Sequence, residues 1–539
     1  MSRARIRSVV QAVTRFHAAL FGEPYVSLAF LAPALAALIC ATCSAAVRIW
    51  FECHLPYNAD TAVYWTVGKG IVHGLTPWKD LFETKPAGIF LLSALSYRLL
   101  GNGHLTNATQ ILSLLAIAFS PVVYARRIWR APASRFVVVP IFVALWALVI
   151  DQASLVADYA GAVQTETHAL PALILYMLLL GNRGRFGFAL RTLGILVAVG
   201  MKEPFVLAVP AVYLLLDPEA QDPWSDFFGP LAAACVIGAA GLLLAGWLPA
   251  YLGIYLKTMT GGHINVTGSP WARLGAGFDN NWAALAQHSP LLPFTLLYLA
   301  GVYAFSPASP RAIDARRVVL RFQALFLAAL LSSMAVGLGG QFYLHHYLFA
   351  TPAHLAILFA LMGSLERFPS VGHWSRSGVV CLALLCVYLP EWVPVEEFEQ
   401  RLRAFRREDE GGRNAAVVID TLLDRLKIDR YLWLGHPGGS PLPFTKHLPL
   451  GPLFFQQSVF FEGKYKSLAA KFEKRLHEAQ LVVLAQYMTG AQDGHVKEVL
   501  GAEYELLPRG YVAERAKFPY QIYVRRGLPL PPVSAPAPR

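Results

Sequence analysis

The stretch Val26–Trp50, VSLAFLAPALAALICATCSAAVRIW, carries a single charge, Arg48, close to its end. It exceeds the roughly 20 apolar residues that take an α-helix across a hydrocarbon layer of about 30 Å. Its apolar residues form a block with no polar face, so a surface amphipathic helix is excluded. Similar blocks recur at Ala108–Ala125, Phe136–Ile150, Thr167–Leu180, Gly229–Trp247, Leu291–Phe305, Val318–Leu338, Tyr347–Met362 and Ser377–Val393. Of 539 residues, 55% are hydrophobic and 15% charged, against about 25% charged in a soluble protein. The net charge of +12 comes largely from short basic loops between apolar blocks. That is the positive-inside pattern of a membrane protein, with the bilayer and not a nucleic acid as partner.

The apolar block is too long for a signal-peptide core. Met1–Pro24, with Arg3, Arg5, Arg7 and Arg15, therefore reads as a cytoplasmic segment. Ala87–Gly101 is short for a span and carries Arg98, so it is expected to lie in the interface or to dip in and out. Leu190–Leu216 is interrupted by Lys202-Glu203-Pro204 and reads as two short helices meeting there. The expected fold is an α-helical polytopic membrane protein of about 11 membrane helices, with Glu52–Pro86, Asp151–Glu166 and Leu248–Pro290 as long outward loops. The membrane domain spans 25–394. Residues 395–527 change composition and read as a small periplasmic α/β domain. Strands are expected at Tyr431–Gly435 and Leu481–Tyr487, a helix at Tyr465–Ala479 and an edge strand at Tyr520–Arg525. The proline-rich tail 528–539 reads as disordered. The six cysteines complete no second pair for a metal site and read as membrane packing.

Charges near a bilayer cost several kcal/mol unless they face a cavity, which makes them functional candidates. The first outward loop concentrates them: Asp60, Asp80, Glu83 and Lys85, with Tyr64 and several glycines. Asp60-Thr-Ala-Val-Tyr64, Gly74-Leu-Thr-Pro77-Trp-Lys-Asp80 and Lys85-Pro86-Ala-Gly88 resemble the first periplasmic loop of GT-C glycosyltransferases. Protein O-mannosyltransferases and the aminoarabinose transferases that modify lipid A share this pattern. Gln164-Thr165-Glu166, Gly194 through Lys202 and His345-His346-Tyr347-Leu348 follow in the family's order, and the resemblance covers about Asn58–Leu361. Two departures stand out. Asp60 is followed by Thr61 where many members have a second acid, and Pro86 by Ala87 where a second proline is common.

The resemblance implies a polyprenyl-phosphate sugar donor and an acceptor hydroxyl on a lipid, glycan or protein. Transfer would occur on the periplasmic side of a bacterial inner membrane. It implies Asp60 as catalytic base and Lys85, Lys202 and His346 as contacts for the donor phosphate. Tyr64, Asp80, Asp158, Glu166 and Tyr347 would contact the sugar or acceptor. No cofactor is fixed by it. A divalent metal is compatible with the family, but Thr61 weakens the case for one held by an acid pair, and no metal ligands are assigned. A polyprenyl-linked glycan flippase or secondary transporter is the competing function, since broken helices with charges at mid-depth also mark transporters. No internal repeat of the transporter kind is visible in the sequence.

Overall fold

The computed structural model describes residues 23–54, 59–128, 135–160, 164–216, 222–260, 269–305, 315–338, 342–363, 365, 373–388, 395–455, 466–485, 491–508 and 520–530. Six described helices are long and apolar enough to cross a membrane: Phe30–Trp50, His104–Tyr124, Val139–Val156, Trp224–Leu244, Ala315–Gly337 and Leu344–Gly363. Four shorter apolar helices accompany them: Ala87–Leu100, Thr165–Leu179, Phe205–Leu216 and Leu292–Phe305. Val139–Val156 is buried along nearly its whole length, whereas Trp224–Leu244 is mostly exposed. The first therefore forms the axis of the bundle, and the second has the all-round apolar surface of a lipid-facing helix. Apart from Glu23 and Pro24, the N-terminal segment lies outside the described residues, as does the tail from 531.

The helix expected to end near Ile150 continues, spanning Arg135–Ala160. Asp151 and Gln152 are buried within it and do not open a loop. The helix tolerates Asp151 because the carboxylate faces His288 Nε2 at 3.2 Å, inside protein and away from lipid. The expected outward loop Leu248–Pro290 is likewise largely helical. It holds a short helical segment through Leu256 and the amphipathic helix Pro270–His288, N-capped by Ser269 Oγ accepting from Ala272 N. At Lys202-Glu203-Pro204 the chain does break, between Arg185–Met201 and Phe205–Leu216. Proline at 204 has no N–H to continue the first helix and opens the second instead.

The C-terminal part opens with a long helix, Val395–Leu426, followed by a five-stranded sheet. Its strands are β1 (Arg430–Leu434), β2 (Leu448–Pro449), β3 (Leu481–Leu484), β4 (Tyr504–Leu506) and β5 (Gln521–Arg525), in the order β2-β1-β3-β5-β4. The central pair β1–β3 is parallel, crossed over by the helix Lys466–Glu478, and apart from Arg430 at its start it is buried and largely apolar, as strands covered on both faces must be. β5 is not the edge strand its alternation suggests. It pairs antiparallel with both β3 and β4, and the edges are β2 and β4. The alternation arises because one face of β5 is covered and the other is not. Leu528 and Leu530, at the start of the tail, pack against this core.

The two parts share a core. Tyr64, Trp65, Trp78, Phe82 and Phe90 cluster with Tyr431, Trp433, Phe454 and Val483 of the sheet domain. Lys69 is buried at this junction and donates to the carbonyls of Leu442, at 3.1 Å, and Thr445. Tyr97 OH donates to Pro443 O at 2.9 Å, and Phe82 N to Pro452 O at 2.8 Å. The segment 59–100 is thus clamped between the helical bundle and the C-terminal domain.

Candidate active site

Asp60 opens the helix Ala59–Val72, where an acid in the first turn favours the helix dipole. Gly68 lets this helix press on Ala87–Leu100, since a Cβ there would lie 2.5 Å from Ser93 Cβ. The turn Thr76–Asp80 then leads to Lys85. Trp78 adopts φ +62 and donates its indole N–H to Lys85 O at 3.0 Å, fixing the backbone beside the lysine. Gly88, one turn further on, packs against the carbonyl of Gly200, two residues before Lys202. Loop, helix break and helix start converge because bare glycines allow the backbones to meet.

The charges arranged there alternate in sign. Lys85 Nζ lies 3.7 Å from Asp60 Oδ2, and Lys202 Nζ lies 3.2 Å from Glu166 Oε1. Asp60 Oδ2 also accepts from Gln164 Nε2 at 3.2 Å. Thr165 Oγ1 donates to Glu166 Oε2 at 2.8 Å. His345 and His346, their rings 4.6 Å apart, sit in the short 3-10 turn Leu344–Phe349 near Glu166. The Asp60 side chain is 37% exposed and that of Glu166 is fully buried, so the group runs from an open end to a closed one.

Burial pushes the Asp60 carboxyl up, but Lys85, the Gln164 amide and Lys202 together outweigh it and hold the group below the ordinary aspartate range. Burial pushes the Lys85 ammonium down, and Asp60 leads the neighbours that raise it well above its ordinary value. Asp60 is therefore an anion and Lys85 a cation at neutral pH. Burial, reinforced by Asp60, raises the Tyr64 phenol well above its usual value. Glu83, 6% exposed and hydrogen-bonded by Thr84 Oγ1, is raised by burial and so is pushed toward its neutral form. Three buried polar atoms here lack a partner among the described residues: Tyr64 OH, Gln164 Oε1 and His346 Nδ1.

Asp60, Tyr64, Lys85, Glu166, Lys202 and His346 are thus brought together. Two other residues expected here are otherwise engaged. The Asp80 carboxylate accepts Thr76 N at 2.8 Å and closes its own turn. The Tyr347 hydroxyl is taken up by Gln152 and His354 inside the bundle. Asp158 falls within the helix Arg135–Ala160, but its side chain lies outside the described residues. Sequence reasoning gave no role to Gln164 or Glu83. The available signal was their adjacency to Glu166 and Lys85 in the same polar motifs. Among the described residues no group of three or more His, Cys, Asp or Glu side chains could hold a metal ion.

A helical membrane protein with two carboxylate–lysine pairs beside a small α/β domain is the class that fold and site define. The chain is similar to the crystal structure of ArnT from Cupriavidus metallidurans bound to undecaprenyl phosphate, with a TM-score of 0.47 and 12% identity, covering 94% of this chain and 99% of that one. It is similar as well to ArnT from the same organism in the apo state, with a TM-score of 0.45 and 13% identity over 89% and 96% of the two chains. No protein-family model matches the chain, and no curated protein sequence matches it.

Proposed function

We propose that this chain is an integral membrane glycosyltransferase of the GT-C kind, moving a sugar from a polyprenyl-phosphate donor to an acceptor hydroxyl with inversion. The observation that carries this reading is the pairing of Asp60 with Lys85 at 3.7 Å, beside a second carboxylate–lysine pair at Glu166 and Lys202. A phosphate leaving group needs no proton, unlike the alkoxide lost by a glycoside. One base and a set of cations therefore suffice. The acceptor oxygen attacks the anomeric carbon, the bond from that carbon to the phosphate oxygen breaks, and the hydroxyl proton passes to Asp60. Lys85 and Lys202 stabilise the charge that develops on the phosphate, as compact cations in an enclosed site do best. His346 offers an unpartnered ring nitrogen to the same group, and Tyr64 and Glu166 orient the sugar or the acceptor.

The reading places the protein in a bacterial inner membrane, with the N-terminus cytoplasmic and the C-terminal domain in the periplasm. Undecaprenyl phosphate, the ligand of the similar ArnT structure, is the carrier to test first. Purified protein in lipid nanodiscs, supplied with undecaprenyl-phosphate-linked sugars and a lipid extract of the host, should release undecaprenyl phosphate in step with a new glycosidic product. Movement of such donors across vesicles without a new bond would assign the chain to the flippases.

A further inference from the structure

Gln164 touches the proposed base directly. Its Nε2 donates to Asp60 Oδ2 at 3.2 Å, and the same oxygen faces Lys85 Nζ at 3.7 Å. Only the NH2 end of an amide can bond a carboxylate, so the orientation of this side chain follows from its partner. Its backbone is pinned as well. Gln164 is the extended residue preceding the helix Thr165–Leu179, and its carbonyl lies 2.9 Å from His168 Nδ1. The other ring nitrogen of His168 is 3.2 Å from Thr106 O and 3.1 Å from Thr109 Oγ1 on the neighbouring helix. Gln164 is thus a fixed arm reaching across from a second helix, and both groups bound to Asp60 converge on a single oxygen. We infer that Gln164 is a positioning residue for the proposed transfer: it and Lys85 hold Asp60 Oδ2, so that Oδ1 is the oxygen that takes the hydroxyl proton.

This inference rests on the role proposed for Asp60, and its test separates the two. Full-length wild type, Gln164→Leu and the closer isostere Gln164→Met are compared in nanodiscs. The Asp60 protonation midpoint is followed by the infrared band of the protonated carboxyl that Asp60→Asn abolishes. Losing the amide N–H should move that midpoint to higher pH in both variants, and the acid limb of kcat should move with it. Turnover at neutral pH should fall about 10-fold, while undecaprenyl phosphate binds within about twofold of wild type. A glutamine that bonds Asp60 without positioning it would shift the midpoint yet leave turnover at neutral pH near wild type, which also overturns the inference. An unchanged midpoint in a folded variant, with wild type active, overturns the inference alone. Absence of transfer by wild type overturns the glycosyltransferase reading and this inference with it.

Discussion

Gly88 and Gly200 meet backbone to backbone: a Cβ on Gly88 would lie 2.5 Å from the Gly200 carbonyl oxygen, closer than real Cβ contacts come. This contact lies three residues after Lys85 and two before Lys202, so it fixes how near the two cations stand. Overpacking such a contact costs about 1–3 kcal/mol. Gly88→Val should therefore separate the helices, weaken undecaprenyl phosphate binding and reduce transfer roughly 10-fold or more, with a lowered unfolding temperature. Equal binding and transfer in Gly88→Val would show that the two lysines do not act on one phosphate.

The buried pair of Lys202 and Glu166 allows structure to be separated from function. Lys202→Met leaves the fully buried Glu166 carboxylate without its cation, a change that typically costs about 3–5 kcal/mol. Adding Glu166→Leu removes the stranded charge and should recover most of the thermal stability without restoring transfer. Recovery of both in the double variant would make the pair structural.

Lys69 ties the helix that carries Asp60 to the C-terminal domain through Leu442 O and Thr445 O. Burial lowers its ammonium to about 8, with Asp420 opposing. Below that value the ammonium is charged both folded and unfolded. Between about 8 and its ordinary value of 10.5 the unfolded chain binds more protons, so stability rises with pH across that window. Lys69→Met should abolish the rise and weaken docking of the C-terminal domain by about 1–3 kcal/mol, because two buried carbonyls lose a charged donor. Hydrogen exchange of 59–72 and 442–452 checks this, since both segments should exchange faster together. Unchanged exchange would remove Lys69 from the junction.

The helix Ala87–Leu100 meets Gly200 near one end and, through Tyr97, the C-terminal domain near the other. We expect it not to cross the bilayer. A cysteine at the exposed His104 should then react with an impermeant thiol reagent from the periplasm, and one at Arg130 should not. Gly103 is unsuitable as a labelling site, because a Cβ there would collide with the Trp65 ring. Labelling of His104→Cys only from the cytoplasm would mean the helix crosses.

How far the sequence could be read depended on the range of each interaction. The apolar blocks and the break at Pro204 are local matters of composition and missing N–H groups, and both are found where expected. Asp60, Lys85 and Glu166 stood out because charged residues flank apolar helices there. Charge alone misled at Asp151, which looked like the start of a loop until His288, 137 positions away, supplied its partner. Asp80 drew notice by its charge as well, and its carboxylate accepts a bond within its own turn. Tyr347, next to His346, turns its hydroxyl to Gln152 and His354, since adjacent residues on a tight helical turn face different sides. Lys69 sits amid apolar and small residues, and its partners lie 373 and 376 positions further on. No local pattern could have revealed it. β5 looked like an edge strand because half-coverage and edge position leave the same alternation.

The central claim is that Asp60 takes the proton from the attacking hydroxyl, and Asp60→Asn in purified protein with a defined undecaprenyl-phosphate sugar tests it most directly. Asparagine keeps the shape of the side chain and caps a helix start about as well as aspartate. Folding and undecaprenyl phosphate binding should therefore stay near wild type, while kcat falls roughly 10²-fold or more for want of a base. Because its neighbours hold the Asp60 carboxyl below the ordinary aspartate range, wild-type activity should fail on the acid side only below that range. The Asn variant's residual activity should show no such limb. Near-normal turnover by Asp60→Asn, with the acid limb intact, would contradict the assignment.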